Sequence, residues 1–214
     1  MKRITPAHVA AILTLATGLA LAGCGNDGTA KPGGSTSSSS MPGMDHSTMA
    51  PTTAATTTAP VHHNESDVMF ATMMIPHHRQ AVEMADMALM KAKSAKVKQL
   101  ATAIKAAQDP EIKQMSGLLR GWGKPVPSPG MSHSMPGSGM MTEQEMADLG
   151  KASGAAIDRM WVQMMIKHHQ GAVAMAKTEQ ASGQSSQAIA LAKKIETAQN
   201  AEIATMHKLL SQLP

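Results

Sequence analysis

The 214 residues carry a formal charge of +4, a single cysteine, and three aromatic residues against twenty-one methionines. One thiol excludes disulfides and thiolate metal clusters. So small a charge, half of it from Lys2 and Arg3, gives no reason to expect a nucleic-acid partner.

The chain opens with Lys2 and Arg3, an apolar run from Val9 to Leu21, and then Leu21-Ala22-Gly23-Cys24. This is the pattern of a secretory signal peptide over residues 1–23. An apolar run of about 13 residues is too short to span a bilayer, which needs roughly 20. Leu-Ala-Gly-Cys resembles the lipobox of bacterial lipoproteins, which implies cleavage before Cys24, acylation of its thiol, and a membrane-anchored protein outside the cytoplasm. In such an oxidising compartment methionine is a useful metal ligand, since it neither forms disulfides nor needs deprotonation.

Residues 24–64 are mostly Gly, Ser, Thr, Pro and Ala and read as a flexible tether, because they offer too little apolar surface to offset the entropy of ordering. Within the tether lie Met41, Met44, Asp45, His46 and Met49. A second stretch of this kind, residues 121–141, contains Pro125, Pro127, Pro129 and Pro136 and reads as a linker. It holds Met131, His133, Met135, Met140 and Met141. Methionine in such segments suggests copper-scavenging tracts, with compositional drift as the alternative.

The two remaining segments, 65–120 and 142–214, repeat each other. Met73-Met74-Ile75-Pro76-His77-His78 through Ala85 aligns with Met164-Met165-Ile166-Lys167-His168-His169 through Ala176 at an offset of 91. The register continues without a gap, placing Leu100, Ile104, Gln108, Glu111, Met115 and Leu118 on Leu191, Ile195, Gln199, Glu202, Met206 and Leu209. A duplication follows. Each copy has two helical patterns joined by a polar stretch, Lys91 to Lys96 in the first and Thr178 to Ser186 in the second, so each is an αα-hairpin. One apolar stripe per helix predicts an all-α fold, a ferritin-like four-helix bundle formed by both hairpins as one domain. Thr142-Glu143-Gln144-Glu145 is a capping box that opens a short extra helix, interrupted at Gly150 and Gly154. Pro76 and Pro110 predict a kink in the first hairpin, since Lys167 and Ala201 stand at the matching places in the second.

On a helical projection His77 falls in the middle of the buried arc, with Met73 one turn before it and Met84 two turns after; His168 repeats this with Met164 and Met175. Met74, Met165, Met115 and Met206 complete a soft donor set. Thioethers select Cu(I) and imidazole accepts copper in either oxidation state, so copper, as Cu(I), is the expected cofactor. The alternative is plain packing, because methionine is an ordinary core filler. A buried histidine still needs partners for its ring nitrogens. His78 and His169 lie about 100° further round, which predicts positions at the bundle's edge. Glu111, Glu202, Gln108 and Gln199 face inward and either orient the histidines as supporting acceptors or bridge helices. An ordinary imidazole pKa of about 6.5 predicts that acid between pH 7.5 and 5 competes with metal at His77 and His168.

The motif Met-Met-Ile-x-His-His-x-x-Ala-Val-x-Met-Ala, followed by Ile-x-x-x-Gln-x-x-Glu-Ile-x-x-Met and by Asp158-Arg159-Met160-Trp161 in the second copy, resembles the family called domain of unknown function 305. The resemblance covers Asp67 to Trp122 and Thr142 to Leu210. It implies a ferritin-like bundle, export, copper binding or tolerance, metal-facing roles for the paired histidines and nearby methionines, and copper-handling proteins as partners. A departure is Pro76, which bears on the first site's geometry. Two other functions compete with copper binding. A carboxylate-bridged oxidase needs Glu-x-x-His, but Met74 and Met165 stand three residues before His77 and His168, so no enzyme is expected. An envelope protein with oxidant-scavenging methionines explains the methionines and leaves the histidines without a role.

Overall fold

A computed structural model describes residues 62–130 and 137–214. The leader, Cys24, tether residues Met41, Met44, His46 and Met49, and linker residues Met131, His133 and Met135 lie outside the described residues. The fold is all-α, as expected. Helices α1 (Glu65–Lys91) and α2 (Ala95–Gly121) form one hairpin, and α4 (Gly154–Ser182) and α5 (Ser186–Leu210) form the other. The short α3 (Glu143–Lys151) follows the linker.

Four of the five helices start where the sequence supplies a side-chain cap, α4 being the exception. Asn64 and Asp67 form a capping box on α1, Thr142 and Glu145 form one on α3, and Ser94 and Ser185 cap α2 and α5. Several boundaries differ from expectation. The second hairpin link shrinks to Gly183–Ser185, matching Ala92–Ser94 in the first, because no helix breaker precedes Gly183. Gly150 does not interrupt α3; the break comes at Ser153, before Gly154 takes φ +66. Pro76 and Pro110 sit inside unbroken helices. Proline deletes one N–H donor, and burial of Pro76 among packed neighbours holds the helix around that gap.

Helices α1 and α4 run antiparallel along the centre, while α2 and α5 meet each other only sparsely. At one end Asn64 Nδ2 donates to Ser182 O at 2.7 Å. At the other, Trp161 Nε1 donates to Met84 O at 2.9 Å. The offset of 91 becomes a pseudo-twofold axis. One apolar cluster gathers Phe70, Ala71, Met74, Ile75 and Met115 from the first hairpin with Ala172, Ala176, Ala188, Ala192 and Ile195 from the second. The other gathers the counterparts Trp161, Val162, Met165, Ile166 and Met206 with Ala81, Ala85, Val97, Ala101 and Ile104. Each cluster therefore contains half of both hairpins, and neither hairpin has a core of its own.

Two buried aspartates fasten the ends of this arrangement. Asp67 accepts from Gln184 N and Ser185 N at 2.9–3.1 Å, and its counterpart Asp158 accepts from Lys93 N and Ser94 N at 3.0–3.1 Å. Each aspartate thus satisfies the orphan amides at the turn of the opposite hairpin. Burial pushes the Asp67 carboxyl upward, but its hydrogen bonds outweigh that and hold it below the ordinary aspartate range. Asp158→Ala is expected to cost about 2–3 kcal/mol in urea denaturation, since two buried amides lose a charged acceptor. A loss within about 0.5 kcal/mol of zero would show that the brace contributes nothing.

The linker is only partly the solvated segment its composition suggests. Trp122, Pro127, Ser138, Met140 and Met141 are buried. Gln80 fixes Met141 by exchanging hydrogen bonds with its backbone, Nε2 to O at 2.8 Å and N to Oε1 at 2.7 Å. Met140 and Met141 are thus anchored residues and not part of a mobile scavenging tract. Gly171, the counterpart of Gln80, holds the linker differently, by leaving room for Ser138 and Gly139 against the helix backbone.

Candidate metal centre

Along each of the four long helices, residues of one apolar cluster give way to polar residues and then to the other cluster. The interruption holds His77 and His78 on α1, His168 and His169 on α4, Gln108 and Glu111 on α2, and Gln199 and Glu202 on α5. A polar layer thus crosses the middle of the bundle. The His77 and His168 rings meet with centroids 3.7 Å apart and planes inclined at 35°, where the pseudo-twofold axis passes.

His78 and His169 are fully buried and do not lie at the bundle's edge. The projection of a single helix misplaced them because α1 and α4 each pack against two neighbours at once, which widens the buried arc. His78 Nε2 donates to Glu111 Oε2 at 3.1 Å, and His169 Nε2 donates to Glu202 Oε2 at 2.7 Å. The glutamates therefore orient the second histidine of each pair. Burial pushes the Glu111 carboxyl upward, but His78 and Lys194, whose Nζ lies 3.4 Å from Oε1, hold it below its ordinary value.

His77 Nε2 donates to Ser138 O at 3.0 Å, a contact that periodicity does not reveal because the linker has no repeating pattern. Burial, together with the neighbouring His78, lowers the His77 pKa to about 3. Burial and the adjacent His77 hold His168 well below 6.5 as well. Both rings stay neutral far into the acid range. The expected proton competition between pH 7.5 and 5 therefore does not arise at these two rings.

Nε2 is committed in His77, His78 and His169, which leaves Nδ1 as the remaining ring position of each, and in the neutral His77 ring that atom is a bare lone pair. All three Nδ1 atoms are buried without a protein partner, as are both ring nitrogens of His168 and the side-chain amides of Gln108 and Gln199. Buried polar atoms without partners are costly and call for an explanation. Neutral imidazoles with fixed tautomers and unused lone pairs are what a metal requires of histidine ligands. Among the described residues, no three His, Cys, Asp or Glu side chains are placed to hold an ion together. Imidazole nitrogens without partners, between clusters that hold buried methionines, are donors of the kind a soft ion takes.

The methionines divide by cluster. Met84, Met165 and Met206 are buried in one, with Met164 packed against it; Met74 and Met115 are buried in the other, with Met175 packed against it. Met73 and Met175 come together in a groove of about 240 Å³ between α1 and α4, which Met69, Ser138 and Glu179 also line. Glu179 replaces Ala88 of the first copy. Burial first, and then the Asp67 carboxylate, push its pKa up to about 8. Its Oε2 accepts from Ser66 Oγ at 3.4 Å and its Oε1 faces no donor, consistent with a carboxyl that keeps its own proton.

Comparison with known proteins supports this reading of the fold. Residues 67–210 match the family described as domain of unknown function (DUF305). Among solved structures, the chain is similar to a DUF305 fragment from Deinococcus radiodurans, at 32% identity over 70% of this chain and 98% of that one, with TM-score 0.65. A DUF305 protein from Streptomyces coelicolor, described as secreted, matches at 33% identity over 69% of this chain and 91% of that one, with TM-score 0.63. CopM in its Cu(II)-bound form matches at 35% identity, 68% and 96% coverage and TM-score 0.61; in its Cu(I)-bound form the identity is 33% and the TM-score 0.58. No curated protein matches the chain.

Proposed function

The chain belongs to the DUF305 family, and from that premise we propose that it is an exported, lipid-anchored protein that binds copper, as Cu(I), for buffering, tolerance or delivery, without catalysing a reaction. The carrying observation is the central layer of buried imidazoles, with Nδ1 atoms unpartnered and methionines on both sides. Support comes from CopM, which has been crystallised with Cu(I), Cu(II) and silver bound. His77 and His168 are the central ligands, with Met73, Met84, Met164 and Met175, one or two helical turns away, as their thioether partners. His78 and His169 join them from their glutamate-held positions, while Met74, Met165, Met115 and Met206 form the surrounding soft shell. Gln108 and Gln199 supply the remaining polar groups of the layer. Acylated Cys24 attaches the protein to the membrane, where copper-handling proteins are its partners.

Anaerobic competition of the mature protein with a Cu(I) chelator tests this. Wild-type protein is expected to retain Cu(I), and His77→Gln with His168→Gln is expected to lose the tightly held fraction while circular dichroism stays helical. Wild-type protein that retains no Cu(I), or a double variant that retains all of it, would overturn the assignment. Glu111→Gln with Glu202→Gln is expected to keep most of the Cu(I), because a soft ion prefers sulfur and imidazole to carboxylate. Loss of all binding in a folded Gln variant would instead favour a carboxylate-centred site.

A further inference from the structure

Met69, Met73 and His77 follow one another at intervals of four on α1, and so lie along one helix face. Their exposure falls along that line. Met69 is 56% exposed, Met73 is half-buried and His77 is 1% exposed. Met175 faces Met69 and Met73 across the open groove, and Ser138 both lines that groove and accepts the His77 hydrogen bond. The groove therefore runs from solvent to the edge of the histidine layer.

The pseudo-twofold axis generates a second such line, Met160, Met164 and His168, with Met84 across from it. That copy is less open: Met84 is fully buried, and Met160 is half-buried where Met69 is exposed. Met146 and Leu149 of α3 pack in the same apolar cluster as Met84, Met160 and Met164. The first copy has no helix corresponding to α3 among the described residues. A long, flexible apolar side chain at 56% exposure beside an open groove of matching side chains is poorly explained by packing. It is well explained as a thioether that captures a soft cation.

We propose that Met69, Met73 and Met175 form a Cu(I)-accepting site in this groove, and that the ion reaches the histidine layer from this side of the bundle only. The inference rests on the copper-binding reading above. It adds a ligand, Met69, and makes two sites that look equivalent in sequence unequal in access.

The test uses the full mature protein with methionine ε-methyl groups labelled with carbon-13, titrated anaerobically with Cu(I) and followed by NMR. Leucine substitutions assign the resonances. The methyl signals of Met69, Met73 and Met175 are expected to shift with the first equivalent, while those of Met160 and Met146 stay in place. Met69→Leu with Met73→Leu and Met175→Leu is expected to lose one equivalent of rapidly bound Cu(I). Met160→Leu with Met146→Leu, on the opposite side of the bundle, is expected to leave rapid uptake unchanged, and if that variant unfolds, the wild-type shifts alone decide. If copper binds but the first equivalent moves the Met160 and Met146 methyls, or moves neither set, the groove assignment is wrong and the copper-binding reading stands. If wild-type protein takes up no Cu(I), both fall together.

Discussion

Between pH 4.5 and 3.5 the metal-free domain is expected to lose about 1.4 kcal/mol of folding stability from the proton that His77 takes up only in the unfolded chain, with His168 acting in the same direction. The groups responsible are His77 and His168. Burial lowers the His77 pKa from 6.5 to about 3 and holds His168 well below 6.5. A histidine with a depressed pKa contributes its full stability above the unfolded value of 6.5, and that contribution drains away as the pH falls toward the folded value. The charged and titratable groups around the pair are His78, His169, Glu111, Glu202 and Lys194. Glu111 and Asp67, with lowered carboxyl values, add to the loss below pH 4.5. Glu179 acts in the opposite direction. Its carboxyl is raised from 4.5 to about 8, so its contribution is complete below pH 4.5 and is lost as the pH rises to 8. The balance places maximum stability near pH 6.5, the unfolded histidine value, with a decline on the alkaline side as Glu179 loses its proton. Urea midpoints from pH 3.5 to 8 measure both limbs, and Glu179→Gln is expected to flatten the alkaline limb and steepen the rise between pH 4.5 and 6.5. A wild-type profile that stays level from pH 4.5 to 3.5 would mean that the central imidazoles are solvated.

Gly171→Ala is expected to destabilise the domain by about 3 kcal/mol, combining steric overlap in a packed site with loss of a buried hydrogen bond. The sign is diagnostic, because Gly to Ala inside an exposed helix normally stabilises by about 1 kcal/mol. At Gly171 an added Cβ meets the carbonyl of Ser138, which is backbone and cannot rotate away. Gly139 closes the approach from the other side: it holds φ +75, and a Cβ there would lie 2.6 Å from Lys167 O. The strand of linker at 138–139 must therefore lift off α4, and His77 Nε2 loses its acceptor. Limited proteolysis is expected to cut the variant within 137–141, where the wild type resists. A Gly171→Ala protein that is more stable than wild type, with an uncut linker, would show that this close approach does not exist in solution.

The sequence carried the hairpins, their duplication and the inward direction of His77 and His168, because all three follow from periodicity and an ungapped offset. It misplaced His78 and His169, since a projection of one helix shows one buried arc and cannot show that α1 and α4 each serve two partners. Ser138, Met140 and Met141 were hidden in a segment whose Pro and Gly content says only that it is not helical. The acid range was misjudged for a related reason: an imidazole's pKa in the fold is set by what surrounds it in three dimensions. Asp67 and Asp158 left a trace that could have been read. They stand at the same offset as the histidines, near the start of each copy, where a repeated aspartate serves to cap.

The pseudo-twofold axis through His77 and His168 has the geometry of an isologous dimer, in which one surface meets an identical copy of itself. Here the two subunits are joined in one chain. In a true homodimer every substitution appears twice, so a feature useful on one side of the axis is imposed on the other. Fusion lifts that restriction, and the chain uses the freedom at a few places beside the shared layer: Gly171 against Gln80, Glu179 against Ala88, and a short helix packed against one copy alone. Joining the halves lets a symmetric scaffold have a front and a back.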